Sequence, residues 1–89
     1  MNIKKIASAG TMESSDAYVE IEPYENGIVI ELESVVKNHF GENIKASIND
    51  VLKEQSVENA IVRIKDRGAL DCVIRARVET AVLRGKEED

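Results

Sequence analysis

Three short stretches of this chain alternate apolar and polar residues with a period of two, and the longer stretches between and after them repeat every three to four residues. Val19 and Ile21 oppose Tyr18, Glu20 and Glu22; Ile28, Ile30 and Leu32 oppose Val29, Glu31 and Glu33; Ala60, Val62 and Ile64 oppose Arg63 and Lys65. Period-two alternation is the signature of a strand with one face buried. The first two stretches are separated by Pro23-Tyr24-Glu25-Asn26-Gly27, a turn composition, so they are expected to form an antiparallel hairpin. Between the second and third strands, Val36, Phe40, Ile44, Ile48, Val51 and Leu52 mark an amphipathic helix, with Ser34 as its expected N-cap. Gly41 lies inside that helix and is a place for it to break or kink. After Arg67-Gly68 a second helix presents Leu70, Val73, Ile74, Val78, Ala81 and Val82 on one face, and the charged tail 85–89 is expected to fray.

The order strand, strand, helix, strand, helix predicts an α+β fold. It is a small two-layer sandwich, a β-hairpin followed by α-β-α, with the sheet covered on one face by two helices. The strand–helix–strand unit crosses over right-handedly if its strands are parallel neighbours. Ile3 to Ala9 is a weak candidate for an added edge strand. The 89 residues suit one domain, residues 1–89, with a core built from Val, Ile, Leu and Ala because only 3% of residues are aromatic.

The formal net charge of −5 disfavours nucleic-acid phosphates and anionic membrane surfaces as partners. No apolar run approaches the ~20 residues of a bilayer span, and no secretory signal follows Lys4 and Lys5. One cysteine, Cys72, allows no internal disulfide, so a reducing, cytoplasmic setting is expected. Charge is unevenly placed: seven acids and no base lie between Gly10 and Glu33, against six bases and four acids from Glu58 to Arg84. Two solvated faces and a partner-docking surface both fit that asymmetry.

Catalytic constellations are missing. His39 has no Ser or Cys partner at a recognisable spacing, Cys72 reads as a small apolar residue, and the two together make no zinc set. Glu20 and Glu22 sit on a strand's outer face, where solvation explains them better than acid–base work. There is no phosphate-binding glycine loop and no aromatic-plus-basic platform. What remains is the polar loop 10–16, Gly10-Thr11-Met12-Glu13-Ser14-Ser15-Asp16. A serine in such a loop, with no neighbouring base, is a weak nucleophile suited to being modified by another enzyme. On composition alone, an ordinary turn is the simpler reading.

The run Ala9-Gly10-Thr11-Met12-Glu13-Ser14-Ser15-Asp16 resembles the prosthetic-group loop of the citrate lyase acyl carrier proteins, the gamma subunits. The likeness extends through Val19-Glu20-Ile21-Glu22-Pro23, Asp66-Arg67-Gly68-Ala69-Leu70-Asp71-Cys72-Val73 and Arg75-Ala76-Arg77-Val78, with Met12 where leucine is expected. The resemblance implies a non-catalytic carrier subunit with no metal. It places phosphoribosyl dephospho-coenzyme A on Ser14 through a phosphodiester, attached by a prosthetic-group transferase. The arm's thiol would carry acetyl; an alpha subunit would exchange acetyl for citrate, and a beta subunit would cleave the citryl thioester to oxaloacetate and restore acetyl. The Asp-Ser-Leu context and all-helical layout of the common acyl carrier proteins are missing, so this is a separate carrier type. Alternatives are the carrier subunit of malonate decarboxylase and an unmodified interaction module docking through its acidic strands. Glu13 and Asp16 are expected to repel the arm's phosphates from the loop.

Overall fold

The structure, a computed structural model, describes residues 3–35 and 37–87, without the side chains of residues 37–40. Val36, the side chains of His39 and Phe40, and the last two residues of the expected tail lie outside the described residues. The elements are β1 (Ala7–Gly10), β2 (Ala17–Glu22), β3 (Ile28–Ser34), α1 (Lys37–Glu54), β4 (Ala60–Asp66) and α2 (Asp71–Lys86). They build the expected α+β architecture, with β1 as the added edge strand.

The alternation places the strand faces as read. Val19, Ile21, Val62 and Ile64 are buried with Ile48, Leu52, Ile74, Val78 and Val82 in one core. Ile44 and Val51 of α1 and Ala81 of α2 join it, so each helix buries one stripe and both lie against the same sheet face.

The lateral order of the strands differs from expectation. It is β1-β2-β4-β3, so β2 and β3 do not form a hairpin; β4 lies between them, antiparallel to β2 and parallel to β3. Stepping over one strand spans ~10 Å, within the ~17 Å reach of the five residues from Pro23 to Gly27. Two hydrogen bonds hold that connector against the start of β4: the Gly27 N–H donates to Asn59 Oδ1 at 2.8 Å, and the Ala60 N–H to the Gly27 carbonyl at 3.0 Å. A period of two fixes which face a residue occupies but carries no information about which strand lies alongside. The hairpin is instead β1–β2, paired from Ala7↔Ile21 to Gly10↔Tyr18, and residues 11–16 are its connection.

Four local expectations are also corrected. Ser34 is the last residue of β3, and its hydroxyl donates to Asp66 Oδ2 at 2.7 Å; it does not cap α1, which begins at Lys37. α1 runs through Gly41 unbroken. Leu70 is the N-cap of α2 and is 70% exposed, whereas Gly85, expected in a frayed tail, is buried inside α2. A Cβ at Gly85 would sit 3.1 Å from Ile3 Cγ2 and 3.2 Å from Ile21 Cγ2. That close approach seats the end of α2 on β2 and on the N-terminal segment, whose Lys4 N–H donates to the Gly85 carbonyl at 2.8 Å.

Folding brings bases of the later half against acids of the earlier half. Arg63, central on the outer sheet face, reaches Glu22 at 2.8 Å, Glu31 at 3.0 Å and Glu20 at 3.1 Å. Glu20 and Glu22 therefore lie on the outer face as expected, but paired across the sheet.

Candidate functional site

The connection between β1 and β2 is short and heavily braced. The Asp16 N–H donates to the Glu13 carbonyl at 3.2 Å and closes a four-residue turn whose central residues are Ser14 and Ser15. The Thr11 hydroxyl accepts the Glu13 N–H at 3.2 Å and donates to Asp16 Oδ2 at 2.7 Å. Asp16 Oδ1 accepts the Ala17 N–H at 2.7 Å, which fixes the carboxylate at the mouth of β2.

A second loop supports the first. The β2–β4 ladder continues one step past Ala17↔Asp66: the Arg67 N–H donates to the Asp16 carbonyl at 2.9 Å, and the Ser15 N–H to the Arg67 carbonyl at 2.8 Å. Arg67 Nε donates to the Met12 carbonyl at 3.3 Å. This supporting loop is itself anchored by Asp66, 1% exposed, which accepts from the Gly68 N–H at 3.1 Å, the Ala69 N–H at 2.9 Å and the Ser34 hydroxyl. A buried carboxylate needs such a full set of donors to offset its lost hydration.

The two adjacent serines differ in environment. Ser15 has φ +67, a left-handed conformation uncommon for non-glycine residues, and its N–H is held by Arg67. Ser14 precedes it as the other central residue of the turn; both serines are exposed and neither hydroxyl has a hydrogen-bond partner among the described residues, so the backbone at Ser15 is what separates them.

The electrostatics differ from the sequence expectation of a repelling acidic loop. Arg77 of α2 forms a fork to Asp16, Nε to Oδ1 at 2.9 Å and Nη2 to Oδ2 at 3.1 Å, and the Asp16 side chain is only 14% exposed. The Arg77 guanidinium first, then the Thr11 hydroxyl and the Ala17 N–H, hold the Asp16 carboxyl well below the usual carboxylate range. With Asp16 cancelled, the loop's remaining charges are Glu13 and Arg67, one of each sign.

The depressed Asp16 carboxyl predicts a pH dependence. A group whose folded-state pKa is lowered stabilises the fold above its unfolded value and loses that contribution as pH falls. Asp16→Asn is expected to lower the thermal midpoint near neutral pH. Its difference from wild type should start to close below about pH 4 and vanish in stronger acid. Midpoints measured across a pH series check this; a difference independent of pH would contradict it.

The sequence singles out the loop of Ser14 but not the residues that brace it. Asp66, Arg67 and Arg77 lie in the two later runs that share the family likeness, where no role was assigned to them. Cys72 is exposed and not the small buried residue expected. Among the described residues no group of three His, Cys, Asp or Glu side chains is placed to hold a metal ion, and no helix is long and apolar enough to cross a membrane.

Residues 4–85 match the family model described as "Malonate decarboxylase delta subunit (MdcD)". The chain is 47% identical to the citrate lyase acyl carrier protein of Halothermothrix orenii over 98% of its own length and 93% of the relative's. It is 46% identical to that of Haemophilus influenzae strain PittEE over 99% and 92% of the two chains. It is 48% identical to citrate lyase acyl carrier protein 2 of Salmonella typhimurium, again over 99% and 92%. A chain in the crystal structure of a Pseudomonas malonate decarboxylase hetero-tetramer in complex with malonate has the same fold, with a TM-score of 0.81 and 24% identity over 94% of this chain and 87% of that one. A family model matched over residues 4–85 and near-full-length identity close to one half lead to one conclusion: this chain belongs to the acyl carrier family that the model describes and, within it, to the citrate lyase acyl carrier proteins.

Proposed function

We propose that Ser14 carries a phosphoribosyl dephospho-coenzyme A arm in a phosphodiester, and that the chain serves the alpha and beta subunits of citrate lyase in the cytoplasm. The observation that carries this reading is the exposed Ser14 hydroxyl, unpartnered among the described residues, in a turn braced on both sides, beside a Ser15 whose backbone is bound to Arg67 at positive φ. No base accepts a hydrogen bond from the Ser14 hydroxyl among the described residues, and the Asp16 carboxylate in the loop is occupied by Arg77, Thr11 and Ala17, so the hydroxyl does not activate itself; a transferase must remove its proton as the oxygen bonds to phosphorus and an activated donor loses its phosphate leaving group. The bound arm supplies a thiol, on which acetyl and citryl groups ride as thioesters.

The protein's own contribution is positional. The turn is short, hydrogen-bonded to Arg67 and tied to α2 through Asp16–Arg77, so the arm's root is fixed relative to the whole sheet. A fixed root confines a long arm to a defined reach, which raises the thiol's effective concentration at partner active sites. The acyl carrier subunit of malonate decarboxylase shares the fold, but the likeness at 24% identity concerns the fold alone. The identities of 46–48% favour citrate as the substrate system.

The test is reconstitution. The modified chain with alpha and beta subunits is expected to cleave citrate, while the modified chain alone is expected to show no turnover. Cleavage by the isolated chain, or a requirement for malonate in place of citrate, would overturn the reading. Folding is expected to be independent of the arm, because the core is internal and Ser14 contacts none of it. Modified and unmodified chains should unfold cooperatively with midpoints within about 4 °C, a free-energy difference below ~1 kcal/mol.

A further inference from the structure

Arg67 stands apart from the arginines around it. Arg63 meets three glutamates, Arg75 meets Asp50 and Asp71, and Arg77 meets Asp16. Arg67 meets no carboxylate among the described residues; its side-chain hydrogen bond is Nε to the Met12 carbonyl, and the side chain is exposed. That bond leaves the two terminal nitrogens, four N–H groups, without a partner among the described residues.

The same residue brackets Ser14 from both sides in sequence. Its guanidinium is fastened to Met12, two residues before Ser14, and its carbonyl to the N–H of Ser15, one residue after. The Cα of Ser14 is therefore at most about 7.6 Å from that of Met12. An arginine held to the loop that carries a hydroxyl, with its terminal nitrogens unpartnered among the described residues, is suited to a phosphate oxygen pair, which it meets with two parallel charged hydrogen bonds.

We propose that Arg67 is a positioning residue: its terminal guanidinium nitrogens bind the non-bridging oxygens of the phosphodiester on Ser14, and so fix the direction in which the arm leaves the loop. The proposal rests on the assignment of the arm to Ser14. It adds a binding contact on the carrier itself, at the arm's root, that leaves the distal thiol free. Asp16 does not compete for Arg67, because Arg77 occupies both its oxygens. Glu13 is the opposing charge at the loop, and it limits the pair to a contact that salt weakens.

The experiment uses the full chain, unmodified and modified, with NMR of the guanidinium N–H groups in isotope-labelled protein. On attachment of the arm the Arg67 side-chain resonances are expected to shift while those of Arg63, Arg75 and Arg84 stay in place. The shift should be lost at about 1 M salt, where screening is nearly complete. In modified Arg67→Gln protein the phosphodiester phosphorus resonance should narrow toward that of a free dialkyl phosphate, and Arg67→Lys should restore part of the width. The backbone bonds from residue 67 to Ser15 and Asp16 survive both substitutions, so a purely structural role leaves the phosphorus signal unmoved. Arg67 resonances identical in both forms, or a phosphorus linewidth unchanged in Arg67→Gln, would overturn the proposal while leaving the arm on Ser14. Absence of any phosphodiester phosphorus signal in wild type would overturn the Ser14 assignment and the proposal together.

Discussion

Ser14→Ala is expected to leave the chain at its unmodified mass after incubation with the transferase and an activated arm donor, and to reduce citrate cleavage by the reconstituted complex to background. The substitution removes the one oxygen on which the arm is built. It removes nothing from the fold, since the Ser14 side chain makes no hydrogen bond among the described residues and lies outside the core. Circular dichroism and the thermal midpoint should match wild type within ~0.5 kcal/mol. Ser15→Ala is the paired control. Ser15 offers the same chemistry one position later, but its N–H is bound to the Arg67 carbonyl and its φ is +67, so it is tied to the ladder. Alanine keeps that backbone bond and accepts the left-handed conformation at a cost similar to serine's. The Ser15→Ala chain is expected to accept the arm, at most a few times more slowly. Arm attachment to Ser14→Ala would show that the assignment is wrong.

Gly10→Ala is expected to have the largest effect on stability of any single substitution near the site. Gly10 is the last residue of β1, with φ +95, and a Cβ built on it would lie 1.8 Å from the Ala17 carbonyl oxygen. That contact is with backbone, in a paired strand, so no side-chain rotation relieves it. Relief requires β1 and β2 to separate at the mouth of the loop, which breaks the Gly10↔Tyr18 pairing and displaces Asp16 from Arg77. The clash and the forced positive φ together are expected to cost about 3 kcal/mol or more. For a domain this size that is a fall in thermal midpoint of at least ~12 °C. Arm attachment should fall as well, because the turn that displays Ser14 hangs from these two strands. A Gly10→Ala chain with an unchanged midpoint would show that the strand mouth is not the constraint described.

The faces of the elements were legible because burial follows a local period. Val19, Ile21, Val62 and Ile64 could be assigned to the core with no knowledge of which strands pair. The strand order was not legible, because β4 enters between β2 and β3 through contacts more than 30 residues apart, such as Gly27 with Asn59. Leu70 shows a related limit: it falls in phase with the apolar stripe of α2, but it precedes the helix, where that phase no longer decides direction. Gly85 is the converse, a residue assigned to the fraying tail whose missing side chain admits Ile3 and Ile21.

Of the candidate site, the choice of Ser14 comes from the resemblance alone, since the loop's composition left an ordinary turn as the simpler reading. The supports were not readable from spacing. Asp16 and Arg77 are 61 residues apart, and Met12 and Arg67 are 55 apart, so the chain's own folding brings the bases of its later half to the acidic loop of its earlier half. The same long-range pairing ties Glu20, Glu22 and Glu31 of the acidic strands to Arg63.

The central claim is that this chain bears its arm on Ser14, and intact mass of the protein from its native host, followed by peptide mapping, tests it most directly. The account predicts a mass above that of the 89-residue chain by one phosphoribosyl dephospho-coenzyme A group, with the added mass confined to Ser14 in the fragment that spans residues 11–16. A protein at its unmodified mass in cells actively cleaving citrate, or a phosphodiester mapped to Ser15, would contradict it.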